Sequence, residues 1–134
     1  MSSLWVVYDT VEGQSAKIAE HVAGVARDAG FEAVVTDAKQ LSDNVMPGCE
    51  RAIVVASVHM GRHARSVRAF VREYRAWLAA RPSAFFSVSL SAASPRDKSQ
   101  RDAQEMMDEF LATCGWKPNL AVTVAGALPY SKYG

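Results

Sequence analysis

The sequence has few of the features that mark extracellular, membrane-spanning or nucleic-acid-binding proteins. Its two cysteines, Cys49 and Cys114, are far apart and lack a metal or redox spacing, so free thiols in a reducing cytoplasm are expected. No apolar run approaches the ~20 residues of a membrane span, and the first residues lack the basic segment of a signal peptide. Lysine and arginine total 15 against 14 acidic residues, so bulk charge predicts neither nucleic acid nor a membrane as partner.

Short apolar runs alternate with longer amphipathic segments along the chain. The runs are rich in β-branched and aromatic residues and fall at 4–8, 31–36, 52–56, 84–88 and 121–125. Helical periodicity follows the first, third and fourth runs, whereas 37–48 is expected to be irregular with at most one helical turn. This alternation predicts one α/β domain over residues 1–134, a doubly wound five-stranded parallel sheet. In the strand order 2-1-3-4-5, ligands bind at the carboxyl ends of strands one and three.

The turn from the first strand into the first helix is rich in neutral hydrogen-bond donors. Thr10 and Ser15 supply hydroxyls, Gln14 an amide, and Gly13 permits close approach of the backbone. Backbone N–H groups at a helix start favour an anion, so this turn is a candidate phosphate site. The alternative is that Thr10 and Ser15 serve only as turn and cap residues. The turn is neither a dinucleotide-binding glycine motif nor a nucleoside-triphosphate loop.

Four stretches of the chain resemble one family. They are Asp9-Thr10-Val11-Glu12-Gly13-Gln14-Ser15 after the first strand, Ala56-Ser57-Val58-His59-Met60-Gly61 after the third, PSAFFSVSL at 82–90 and AGALPYSKY at 125–133. The first stretch resembles the FMN phosphate loop of flavodoxins. The four together resemble more closely the branch of menaquinone-dependent protoporphyrinogen oxidases and related flavodoxin-domain proteins, and the resemblance covers nearly the whole chain.

The resemblance implies a flavodoxin-like fold with FMN as cofactor. The implied phosphate-binding residues are Thr10, Val11, Glu12 (through its backbone), Gly13, Gln14 and Ser15. The implied walls of the isoalloxazine ring are a first wall of Ser57, Val58, His59, Met60, Gly61 and Arg62, and a second wall of Ser89, Leu90, Ser91 and Ala92. The flavin is expected to accept hydride equivalents from a porphyrinogen and pass electrons to a quinone. The resemblance assigns no catalytic side chain.

Two departures from the family pattern lead to further expectations. Asp9 stands where the family usually has a hydroxyl residue, and Glu12 adds a second carboxylate near a phosphate dianion. These carboxylates must point away, be protonated or weaken binding. The family also continues past the fifth strand into a final helix, and that helix is expected to be missing here. A sheet face left uncovered in this way predicts a homo-oligomer or a truncated chain.

The arginines of the helix predicted after the third apolar run allow two interpretations. Five arginines lie beside the apolar stripe of the predicted helix: Arg62, Arg65, Arg68, Arg72 and Arg75. They form a solvated helix face, or they meet an acidic partner such as porphyrinogen propionates or anionic lipids at the inner face of the membrane. His59 and His63 are four residues apart without a third ligand, so no metal site is expected. His59 belongs to the first wall or is a plain loop histidine.

Three function classes remain open at this stage. The first is an FMN-dependent porphyrinogen-oxidising enzyme, and the second is a flavodoxin-like electron carrier without its own substrate. The third is a signalling domain of the same strand order, such as a response regulator. It is discounted, because a response regulator needs an aspartate at the end of strand three, where this chain has Ala56 and Ser57. Electron carriers of this fold are usually acidic, and the net charge of +1 favours the enzyme.

Overall fold

The computed structural model describes residues 3–9, 14–40, 48–59, 62–89, 91–93 and 95–125. The strands are β1 (Ser3–Asp9), β2 (Glu32–Asp37), β3 (Arg51–His59), β4 (Arg62–His63), β5 (Ser83–Ser89) and β6 (Leu120–Ala125). The helices are α1 (Gln14–Asp28), α2 (Arg65–Glu73), α3 (Arg75–Ala79) and α4 (Asp97–Cys114). Two single 3₁₀ turns occupy Ala38–Gln40 and Ser91–Ala93.

Five strands form a parallel sheet in the order β2-β1-β3-β5-β6, which confirms the predicted doubly wound topology. The sequence interpretation of residues 57–62 as a loop was wrong. β3 continues to His59, and the two residues of β4 pair with it in antiparallel fashion. Residues 57–59 and 62–63 therefore form two paired segments at the carboxyl end of β3, which we call the hairpin. β4 has only two residues, which are too few for the period-two pattern of a strand to be recognised in the sequence.

Period-two alternation along β1 divides the core into two layers. Trp5 and Val7 face one layer, which also contains Phe70 of α2 and Phe110 of α4. The Trp5 ring meets three aromatic rings edge-on at centroid distances of 5.3 to 5.6 Å, those of Phe70, Tyr74 and Trp77. Edge-to-face contacts of this kind are favoured by the ring quadrupole. They anchor α2 and α3 beneath the same strand that leads to the candidate phosphate turn.

The opposite face of the sheet is covered by α1. Leu4 and Val6 of β1 pack there with Ala19 and Ala23 of the helix. On this face Ile53, Phe86 and Val124 are only partly buried. An apolar groove of about 420 Å³ lies at the amino ends of the strands, lined by Ile53 and by α1 residues that include Val22 and Val25. Residues 126–134 lie outside the described residues, so the expected absence of a final helix stays a prediction.

Helix ends follow their expected signals, with one exception. Gly30, two residues after α1, and Gly115, immediately after α4, adopt positive φ angles of 96° and 68°, as residues that end helices in the left-handed conformation do. The single helix predicted after the third apolar run is instead two helices, because Tyr74 leaves the helical region at φ −101° and ψ 18°. Within the part of the chain that is described, no helix is long and apolar enough to cross a membrane.

Candidate functional site

The candidate site lies at the carboxyl edge of the sheet, where the winding reverses between β1 and β3. Asp9 of β1 pairs with Ala56 of β3, and Ala56 pairs with Ser87 of β5. The strand ends that carry the predicted phosphate turn and both predicted ring walls are therefore level with one another. Ser57 Oγ also donates a hydrogen bond of 3.4 Å to the Asp9 carbonyl oxygen. This bond ties the start of the phosphate turn to the start of the first wall.

Ser15 is the described residue of the phosphate turn that best fits an anion. It is the second residue of α1 and is fully buried, at 0% exposure. Its Oγ has no hydrogen-bond partner among the described residues. A buried unpaired hydroxyl costs about 1–3 kcal/mol, and such groups call for an explanation in a bound ligand or water. At the positive end of a helix, a phosphate oxygen is the natural acceptor.

The Asp9 carboxylate points away from α1. It shares the α2 side of β1 with Trp5 and Val7, and it is 1% exposed. Ser66 Oγ donates a 2.5 Å hydrogen bond to Asp9 Oδ2, and Lys39 Nζ lies 3.6 Å from Oδ1. Of the three outcomes expected for this carboxylate, the structure shows the first. Lys39 offsets the negative charge that stands where the family has a hydroxyl.

The second wall is fixed by local hydrogen bonds. Ser89 ends β5, and its Oγ accepts a 3.1 Å bond from the Ala92 N–H. The Gln100 side-chain amide of α4 donates a 2.9 Å bond to the Ala92 carbonyl oxygen. Together these bonds hold the 3₁₀ turn Ser91–Ala93 against the end of β5 and the first turn of α4. Polar atoms of Ser89 and Ala92 are thereby used within the wall.

A buried histidine lies directly beneath the two walls. His63 of β4 is 4% exposed, and its Nε2 lies 2.8 Å from Ser87 Oγ. The imidazole packs against Phe110 and Phe85, at centroid distances of 4.7 and 5.5 Å, and these two rings stack on each other at 4.8 Å. Burial lowers the pKa of His63 to about 4, with a smaller contribution from the positive charge of Arg68. The imidazole is therefore neutral at neutral pH.

The structure brings the described part of the predicted site together at one edge. Gln14 and Ser15 start α1, Ser57 and Val58 end β3, and the second wall follows β5. Several predicted residues lie outside the described residues: Thr10, Val11, Glu12, Gly13, Met60, Gly61 and Leu90. The side chains of His59 and Arg62 are likewise not described. The cofactor roles of all these residues stay predictions.

Sequence reasoning missed the residues that support this edge from below. Ser66, Lys39 and Ser87 come together with Asp9 and His63 only in the fold, across separations of 24 to 57 residues. A usable signal existed in β5, where one face carries three serines, Ser83, Ser87 and Ser89, beside Phe85. Buried serines in a central strand need partners, and that need pointed to a polar contact beneath the walls.

The arginines of the stripe differ in their surroundings. Arg65, Arg72 and Arg75 are exposed, whereas Arg68 is half-buried. α2 begins at the carboxyl edge and runs away from it, so Arg65 lies near the candidate site. Arg72 lies two turns down the same helix, about 10 Å along its axis. A substitution at Arg65 therefore tests the site edge, and the same substitution at Arg72 tests the part of the stripe that lies away from it.

Known proteins resemble this chain in sequence and in architecture. The protoporphyrinogen IX dehydrogenase [quinone] of Escherichia coli K12 is 28% identical over 128 residues, which span 96% of this chain and 70% of the relative. Flavodoxin 1 of Bacillus cereus superposes with a TM-score of 0.62 at 20% identity, over 97% of this chain and 88% of its own. A flavodoxin of Fusobacterium nucleatum bound to flavin mononucleotide superposes with a TM-score of 0.60 at 11% identity, over 91% and 68%.

A family model adds a match that covers almost the entire sequence. The model of the flavodoxin domain matches residues 5–134. The match includes β1, the phosphate turn and both walls. The structural neighbours establish the same fold independently of sequence identity. This chain therefore belongs to the flavodoxin domain family.

Proposed function

We propose that this protein is an FMN-dependent oxidoreductase that oxidises a porphyrinogen and delivers the electrons to a quinone. The observation that carries the proposal is the buried, unpaired Ser15 Oγ at the start of α1. A hydroxyl in this position fits a phosphate monoester, and the turn it ends resembles an FMN phosphate loop. The substrate and acceptor classes are supported by the 28% identical dehydrogenase of Escherichia coli.

The chain's own groups bind and orient the cofactor in this proposal. The start of α1 and Ser15 hold the phosphate, while Lys39 offsets the charge of Asp9 beside it. The hairpin after β3 and the turn after β5 flank the ring and exclude water from its faces. Bound FMN would supply the acceptor of hydride equivalents, which is the chemistry that these side chains lack.

The proposed reaction is tested with protoporphyrinogen IX under anaerobic conditions. FMN-loaded protein is expected to produce the porphyrin, with its visible absorption and fluorescence, only when a quinone is present. A preparation that binds FMN but leaves the porphyrinogen unoxidised above the rate of free FMN would contradict the enzyme proposal. It would favour the electron-carrier alternative, in which reduced partner proteins, not porphyrinogens, exchange electrons with the flavin.

Exposed arginine at the site edge leads to a charge-reversal prediction. We propose that Arg65 meets a propionate of the acidic substrate. Arg65→Glu should lower kcat/KM for the porphyrinogen about tenfold, since a charge-assisted hydrogen bond is lost. The loss should shrink as salt is added because exposed charges are screened. Steady-state kinetics at two ionic strengths measure the loss of kcat/KM and its dependence on salt. The affinity for FMN, measured by fluorescence titration, should stay the same.

Arg72→Glu is the matched control on the same helix face. It changes the net charge equally but lies away from the site edge, so its kcat/KM should remain at the wild-type value. Equal losses in both variants would contradict a specific propionate contact. If both variants also release the protein from vesicles of anionic lipid, the stripe meets a membrane surface; unchanged kinetics and vesicle binding would make it a solvated helix face.

A further inference from the structure

The first wall is held by very little backbone pairing. β4 comprises only Arg62 and His63, which pair with His59 and Val58 of β3. A two-stranded hairpin of this length is marginal in water without side-chain support. Something other than the ladder must therefore hold the hairpin at one position relative to the sheet.

His63 supplies that support on one side. Its ring packs against Phe85 of β5 and Phe110 of α4, and its Nε2 reaches Ser87 Oγ at 2.8 Å. Ser87 is 1% exposed, so water does not replace the contact. Ser87 lies two residues before Ser89, which starts the second wall. α4, which carries Phe110, begins shortly after the turn that completes that wall.

On the other side, the same segment is held to β1. Ser66, three residues after His63, donates its hydrogen bond to the buried Asp9 carboxylate. The junction between β4 and α2 is thus attached to the two strands that flank β3. The β3–β5 ladder itself reaches Ser57 and Val88. Among the described residues beyond that pair, the His63 side chain joins β4 to β5, the strand that carries the second wall.

We propose that His63 is a positioning residue that fixes the separation of the two walls and thereby determines affinity for the ring half of a flavin. The proposal rests on the flavin-binding function proposed above. It assigns His63 no contact with the flavin itself. The imidazole acts through the hairpin, and Ser87 is its polar anchor.

Ring and phosphate contributions separate when riboflavin is compared with FMN. Ser87→Ala removes the anchor, and His63→Phe keeps an aromatic ring against Phe85 and Phe110 but loses the polar contact. Both variants should bind riboflavin and FMN about tenfold more weakly, by the same factor for each ligand. The bound flavin should also show altered visible absorption and weaker fluorescence quenching, because the ring environment has changed.

Ser83→Ala is the matched control on the same strand. Ser83 is buried at the opposite end of β5, where its Oγ accepts a 3.3 Å hydrogen bond from Trp116 Nε1. Its loss should leave affinity for both ligands and the flavin spectrum unchanged. If folded Ser87→Ala and His63→Phe proteins bind riboflavin and FMN as tightly as wild type, the proposal is wrong. It is also wrong if Ser83→Ala has the same effect as Ser87→Ala.

Amide hydrogen exchange tests, without any flavin, whether the contact of His63 with Ser87 holds the hairpin in place. We call this contact the His63–Ser87 clamp. Exchange of the described hairpin residues, 58–59 and 62–63, should accelerate about tenfold in ligand-free Ser87→Ala and His63→Phe, and should match wild type in Ser83→Ala. Wild-type protein that binds no flavin would refute the proposed function, while faster exchange in this hairpin would still support the clamp. Unchanged hairpin exchange in both variants would overturn the clamp whether or not wild type binds flavin.

Discussion

Ser15→Ala should weaken FMN binding and, in the same protein, stabilise the ligand-free fold. The hydroxyl is fully buried at the start of α1 without a partner among the described residues. Loss of a hydrogen bond to a charged phosphate corresponds to about a tenfold to hundredfold rise in the Kd for FMN. Removal of an unsatisfied buried hydroxyl should raise the free energy of unfolding of the apo protein by about 1 kcal/mol. Fluorescence titration and urea unfolding measure the two effects.

Riboflavin and Ser83→Ala provide the controls for this prediction. Riboflavin lacks the phosphate, so its affinity should be the same for wild type and Ser15→Ala. Ser83 is also a buried serine, but its hydroxyl has a partner in Trp116. Ser83→Ala should therefore destabilise the apo protein and leave FMN affinity intact. Equal loss of riboflavin and FMN affinity in Ser15→Ala would show that the hydroxyl does not face a phosphate.

His63 should make the stability of the fold depend on pH in the acid range. Burial and the charge of Arg68 lower its pKa from 6.5 to about 4. Between these two values the unfolded chain binds a proton that the native protein excludes, so stability falls as pH decreases from 6.5 to 4. The full shift corresponds to about 3 kcal/mol, and the residue is 4% exposed. Urea unfolding across this range measures the slope.

The double variant His63→Phe/Ser87→Ala is the matched reference for that slope. It removes the titrating group and leaves neither member of the pair unsatisfied in the core. Acidic residues that titrate in the same range are present in both proteins, so their contributions cancel in the difference. The double variant should lose about 3 kcal/mol less than wild type on acidification. Parallel stability curves for the two proteins would contradict a buried, neutral His63.

The sheet could be predicted because its signals are local. Continuous apolar runs mark strands that are covered on both faces, and β1 and β3 contain runs of this kind. Helical periodicity between them requires crossovers of one hand, which leaves few topologies. The position of the candidate site followed from that topology, since ligands bind where the winding reverses.

The support beneath the site could not be predicted, because it depends on contacts distant in sequence. β4 has two residues, too few to show a period. From the sequence, the Asp9 carboxylate was expected to be able to weaken phosphate binding. Only the fold shows that Lys39 Nζ lies 3.6 Å from this carboxylate. His63 read as half of an incomplete metal pair with His59, and its partner Ser87 lies 24 residues away. The break at Tyr74 follows from packing around Trp5, which helical periodicity does not encode.

Titration of the purified wild-type protein with FMN and with riboflavin tests the central claim most directly. We expect quenched flavin fluorescence and a shifted visible spectrum, with low micromolar or tighter affinity for FMN. Riboflavin should bind more weakly, because the buried Ser15 hydroxyl and the start of α1 hold the phosphate. A folded protein whose addition leaves the spectrum and fluorescence of FMN unchanged at high micromolar concentration would contradict the account.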